Sequence, residues 1–201
     1  MAQRYALSLV TPATTDPVTT DPVTLTEAKQ HLRLDSNDED AYVTALISAA
    51  TQWAQMFLGR QLVTATYDLC LRDWPDGDHI DVPIPPLQSV ASVKYTDSAG
   101  VERTMSATDY HVDAASFVGR IVLAYGERWP SGTLRTSNPI VVRFTCGYGA
   151  AGAVPAAMKQ AILLVTGTLY AKRETIVVGH TVQQVPFAAE ALLTPYRVMC
   201  V

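Results

Sequence analysis

Charge is scarce in this chain. Only 17% of its 201 residues are Asp, Glu, Lys or Arg, against roughly a quarter in ordinary soluble domains. The charge that is there leans acidic, with 15 basic and 19 acidic side chains for a net of −4. That balance lacks the basic footprint with which proteins grip nucleic-acid phosphates, so tight DNA binding is disfavoured. Cysteine is rare too. Cys70, Cys146 and Cys200 are odd in number and far apart, which suits reduced thiols in a cytosolic protein better than a disulfide framework, although two of them could still pair. No apolar run approaches the roughly 20 residues of a membrane span, and Ala161 to Val165 is far too short. An integral membrane protein is therefore not expected. Arg4 followed by Tyr5 to Val10 imitates a signal sequence only faintly, because TPATTDPVTTDPVT follows without a small-residue cleavage site.

Signatures of catalysis are missing as well. G-x-S-x-G, H-E-x-x-H and C-x-x-C do not occur. Gly147, Gly149 and Gly152 superficially resemble a phosphate-binding loop, but neither a Gly-Lys-Ser/Thr ending nor G-x-G-x-x-G is present. Asp76, Asp78, His79 and Asp81 cluster around a turn, where a His among carboxylates can act as a base or metal ligand. Turn chemistry at Pro75-Asp76-Gly77 accounts for those acids, and His111 belongs to a different strand. Cys146 reads as a buried strand thiol rather than a nucleophile. No catalytic residue, cofactor or metal is expected. A small hydrolase using Asp76, His79, Asp81 or Cys146 is the alternative from a different functional class. Lys159, Lys172, Arg173 and Arg197 give the C-terminal third a modest basic bias, which solvated helix faces and helix ends account for.

Hydrophobic residues make up 48% of the chain, and its length suffices for one core or for one domain with a sizeable insertion. The repeat TTDPVT, TDPVT carries Pro17 and Pro22, which keep the preceding residues extended, so 1–23 reads as an extended arm. Thr24 with Glu27 forms a capping-box pattern before a short amphipathic helix that ends near Asp35. Ser36 with Glu39 suggests a second box, after which Ala41 to Leu58 runs without Pro or Gly until Gly59 stops it. On that helix Tyr42, Leu46, Ala49, Trp53 and Met56 form one apolar line, and Val43, Ile47, Ala50, Ala54 and Phe57 form another beside it. So broad an arc implies burial on two sides, inside the protomer or against a neighbour.

From Gln61 the pattern alternates, with Val63, Ala65, Tyr67, Leu69 and Leu71 on one face. The prolines of HIDVPIPPLQSV point to an edge or an irregular crossing. Asp97 to Gly100 is the turn of a hairpin that returns over Val101 to Met105. Tyr110 to Val112, Arg120 to Tyr125 and Ile140 to Cys146 are further strands. Pro155 then opens a helix over Ala156 to Lys172, and a short helical turn is expected around Phe187 to Leu193. The expected class is α+β: a helical core from 24–60 and 150–172, an inserted antiparallel β subdomain over 61–149, and a tail over 173–201.

The order of these features resembles a family. VTLTEAKQHLRLDSNDEDAYVTALISAATQWAQMFLGRQL, then PIPPLQSVASVKYTD, RFTCGYG, VPAAMKQAILLVTGTLYAKRE and LLTPYRV together are similar to the head-tail connector (adaptor) proteins of long-tailed bacteriophages, from about Val23 to Val198. The resemblance implies a structural virion protein, assembled in the host cytoplasm into a ring of about a dozen copies under the portal protein. The ring would extend the DNA channel, with the genome passing without sequence-specific binding, and offer a docking platform for a stopper or tail-completion protein. A tail-completion or stopper role is the alternative within this structural class. Tyr42, Leu46, Trp53 and Phe57 are the candidates for helix packing and oligomer contact, and Arg173, Glu174, Tyr196 and Arg197 for contact with a subunit or the portal. The β segment is large for this resemblance, and the TTDPVT repeat matches none of its motifs.

Overall fold

The computed structural model describes residues 5–10, 21–172 and 187–198. It contains α-helices and antiparallel sheets, the α+β class expected from the sequence. The chain forms two compact units, one comprising 1–15 and 64–147, the other 16–63 and 148–201.

The helical unit begins with α1 (Leu25–Leu32). Thr24 accepts from the Glu27 backbone N–H at 3.2 Å while the Glu27 carboxylate accepts from the Thr24 N–H at 2.7 Å, so the predicted capping box is formed. Arg33 ends the helix in the left-handed region at φ 57°, two residues before the expected end at Asp35. Helix α2 (Asp40–Leu58) follows, with Gly59 at φ 63° closing it as read from the sequence. The second capping box is not formed. The residue preceding α2, Glu39, makes no side-chain cap, and the Ser36 hydroxyl instead bonds the Asp38 carboxylate and accepts from the Asp38 N–H at 3.1 Å. A Ser-x-Asp turn competes locally for the same hydroxyl, and here it wins.

Helix α3 (Ala156–Ala171) starts directly after Pro155, whose missing N–H costs nothing at a helix start. Helix α4 (Phe187–Leu193) runs into a single 3-10 turn at Thr194–Tyr196. Val43, Ile47, Ala50, Ala54 and Leu58 of α2 share one core with Met158, Ala161, Ile162 and Val165 of α3 and with Ala189 and Leu193 of α4. The more deeply buried of the two lines on α2 is thus the one through Val43 and Ile47. Glu27 of α1 pairs with Lys159 of α3 at 2.7 Å, which ties the first helix to the third.

The β unit contains two sheets. Strands β1 (Tyr5–Val10), β2 (Ala65–Leu71), β4 (Leu87–Thr96), β5 (Glu102–Thr104) and β8 (Ile140–Cys146) form an antiparallel sheet in the order β1-β2-β8-β4-β5. Strands β3 (His79–Asp81), β6 (Tyr110–Asp113) and β7 (Arg120–Leu123) form a second, in the order β3-β7-β6. The period-2 rule works strongly at β8, where Ile140, Val142, Phe144 and Cys146 are all buried. These side chains join Leu69, Leu71 and Val93 from the large sheet and Ile80, Val82, Ile121 and Tyr110 from the small sheet or its flanks in one core. The proline-bearing segment places β3 at an edge, as expected, whereas β4 lies inside the large sheet and accommodates two register shifts, at Leu87/Ser89 and Val90/Ser92. Tyr5–Val10, within the stretch read as an arm, is a strand laid along β2.

Candidate assembly surface

Helix α2 and the chain end meet at one place in the helical unit. Trp53 and Phe57, one helical turn apart, stack with ring centroids 5.5 Å apart. The Arg197 guanidinium lies 4.9 Å from the Phe57 ring centroid, a cation-π contact worth about 0.5–1 kcal/mol at an exposed site. Beside it, Arg60 Nε donates to the Tyr196 carbonyl at 2.6 Å, and the Val198 N–H donates to the Leu58 carbonyl at 2.8 Å. The orphan Leu58 carbonyl at the end of α2 thus receives a donor from the C-terminal segment, and Arg60 returns one to it. Gly59 turns the chain there at φ +63°, and a Cβ at that position would meet the Val198 Cβ at 3.4 Å, an ordinary contact. The result is a patch in which Trp53, Phe57, Arg60 and Tyr196 are half-buried and Arg197 is exposed, with Met56 exposed next to it in sequence.

This patch brings together four of the residues singled out from the sequence: Trp53, Phe57, Tyr196 and Arg197. Tyr42 stands elsewhere on α2, 6.2 Å from the Tyr170 ring on α3, whose hydroxyl donates to Glu39. Leu46 is half-buried on the same helix. Arg173 and Glu174 lie outside the described residues. Sequence reasoning missed Arg60, whose helix-terminal position gave no sign that its guanidinium would tether the other chain end.

The residues weighed for chemistry are arranged differently. Burial pushes the Cys146 thiol up to about 12, far from the thiolate that a nucleophile requires. His79 Nδ1 lies 2.9 Å from Asp78, whose carboxyl that contact holds below its ordinary value. Asp81 accepts from Arg120 Nε at 2.9 Å, so its charge is committed to a cross-strand pair, and Asp76 is an exposed turn residue. Among the described residues no group of three or more His, Cys, Asp or Glu could hold a metal. Cys70 and Cys146 are both free thiols, and Cys200 lies outside the described residues. No described helix is long and apolar enough to cross a membrane.

Comparison with known proteins agrees with the resemblance in the sequence. Residues 22–116 match the family model of the phage gp6-like head-tail connector protein. A chain from the neck of an empty gene transfer agent (GTA) particle, computed with C6 symmetry, superposes with a TM-score of 0.77 at 27% identity, over 98% of this chain and 97% of that one. A chain from the virion of a native GTA particle gives 0.76 at 25% identity, covering 97% and 96%. A chain from the neck of a native GTA particle computed with C12 symmetry gives 0.71 at 27% identity, covering 98% and 97%. No curated protein sequence matches the chain. With the pattern of the phage gp6-like head-tail connectors over residues 22–116 and a fold matched almost end to end by chains of GTA particles, the chain is similar to the head-tail connectors, and its role is that of a structural connector.

Proposed function

We propose that this connector forms a ring beneath the portal of a phage or phage-like particle, where it extends the DNA channel and presents a docking platform to a stopper or tail protein. The observation that carries the reading is the near-complete correspondence with a chain from a GTA neck, over 98% of this chain and 97% of that one. Rotational symmetry in that neck and in its C12 counterpart supports a ring of identical copies in the virion. An acidic balance suits a wall past which DNA must slide, since tight phosphate contacts would arrest the genome. The protein acts without catalysis. In keeping with this, the thiol at Cys146 is held protonated and the His79 ring is engaged with a turn carboxylate.

Within the ring, Trp53, Phe57, Tyr196 and Arg197 form the surface that meets a subunit or the portal, and Tyr42 and Leu46 contribute helix packing. Arg173 and Glu174 are further candidates for contact with a subunit or the portal. Aromatic and Arg side chains are the types that concentrate binding energy at protein interfaces. Native mass spectrometry of the purified protein, alone and mixed with its portal protein, tests this reading. A ring-sized species in either sample is expected. A strict monomer that also ignores the portal would overturn it.

A further inference from the structure

The core-facing side of the large sheet extends one strand beyond the part that is covered. Across that side, Tyr5, Leu7 and Leu9 of β1 stand opposite Leu71, Leu69 and Tyr67 of β2, which stand opposite Ile140, Val142 and Phe144 of β8. The β8 residues and Leu69 and Leu71 are buried, whereas Tyr5, Leu7 and Leu9 are 52%, 36% and 58% exposed. An apolar face has therefore been built at β1 that the described residues leave exposed. The outer edge of β1 is open too, since among the described residues no strand pairs with it.

The two ends of this sheet differ in how they are protected. At the far end β5 is three residues long, with Glu102 paired to Lys94 at 2.7 Å and Arg103 next to Asp97 at 3.5 Å. Short length and charge are the usual guards of an exposed edge. Strand β1, YALSLV, has six residues with no charge, proline or bulge. An unguarded apolar edge of that kind is a pairing surface.

We propose that the β1 edge and its apolar face seat against a second copy of this chain in the ring, which supplies the missing cover. The inference rests on the ring reading. Copies related by six- or twelve-fold rotation, as in the necks with similar chains, meet through two different faces, so each copy needs a second apolar surface that is not β1. The β unit carries one at the rim of its small sheet, where Val112 on the edge strand β6, Phe117 in the β6-β7 turn and Tyr125 beyond β7 are exposed. Tyr5, Leu7 and Leu9 of one copy meet this rim of the next.

Two variants test the pairing because each spoils one face only. Leu7→Glu/Leu9→Glu changes exposed side chains, so the monomer keeps its unfolding midpoint while its ring fraction falls about tenfold or more, as expected for a charge placed in an interface centre. Tyr125→Glu does the same. Mixed together, the two variants keep one intact interface per pair and give heterodimers that stop there. Leu7→Ile/Leu9→Ile keeps the ring. In the wild-type protein, amide exchange over residues 5–10 slows on assembly, a readout that needs no variant. Rings that form equally well from Leu7→Glu/Leu9→Glu, with residues 5–10 exchanging as in the monomer, overturn this inference and leave the ring reading intact. Rings from Tyr125→Glu overturn the pairing of the two faces. A wild type that forms no ring with or without its portal protein overturns the ring reading and this inference together.

Discussion

The helical unit and the β unit solve the problem of closing a core in opposite ways. The β unit takes its core from one nearly continuous stretch, 64–147, with one strand added from 5–10. The helical unit assembles its core from stretches on either side of that segment, so Ile47 and Ala50 meet Met158 and Ile162 across more than a hundred residues. Local signals dominate in the helical unit even though its packing is remote: a capping box, a left-handed glycine and a 3.6-residue period each act within a few residues. In the β unit the partners are also distant, but each local signal is weaker. Register there depends on which strands find each other.

The contrast can be broken first at the cores. Phe144→Ala empties the largest fully buried side chain of the β unit and should cost about 3–5 kcal/mol. Urea unfolding followed by tryptophan fluorescence measures this, because Trp74 and Trp129, stacked at 4.9 Å, report the β unit, and Trp53 reports the helical one. The β-unit signal should move to lower denaturant. A shift confined to the Trp53 signal would contradict the division.

Two glycines sharpen the same comparison, for different reasons. At Gly119 a Cβ would lie 2.4 Å from the Leu87 Cβ, so Gly119→Ala forces two pieces of backbone apart and should cost about 1–3 kcal/mol in the β unit. At Gly59 the space is adequate, but φ is +63°, so Gly59→Ala should cost about 1 kcal/mol through backbone strain in the helical unit. Thermal midpoints of the two variants should fall in that order.

The smaller effects lie at the start of α1. Thr24→Ala removes the capping box and should cost about 1 kcal/mol. The hydrogen bond from Lys159 holds the Glu27 carboxyl below its ordinary value of 4.5, followed by the Thr24 backbone contact. A carboxyl depressed in the folded state stabilises the fold above its unfolded value, and that contribution is lost as pH falls through the folded one. Stability should therefore decline below about pH 4.5 in a way that Lys159→Met weakens. The effect is small because Glu27 remains open to solvent. Unfolding midpoints measured between neutral pH and pH 3 in both forms check it.

The sequence revealed elements whose signals are short-range. Helix α2 and its Gly59 stop, the β2 alternation, the turn after β4 and the helix Phe187–Leu193 were all legible. Ser36 misled because its hydroxyl satisfies either a helix start or an Asx-like turn, and periodicity does not decide between them. Strand β1 was invisible as a strand because its identity comes from pairing with β2, some sixty residues away. The patch offered as a candidate assembly surface was half legible as a cluster. Trp53 and Phe57 announce themselves by helical spacing, but the docking of Tyr196 and Arg197 beside them depends on the Arg60 guanidinium donating to the Tyr196 carbonyl and the Val198 N–H donating to Leu58.

The central claim is that this chain sits as a ring between portal and tail. A cryo-EM reconstruction of the neck, from particles assembled with this protein, tests it most directly. The account predicts a rotationally repeated layer below the portal into which this fold fits, with the end of α2 and residues 194–198 at a protein contact. Particles whose portal joins the tail with no density for this fold would contradict it.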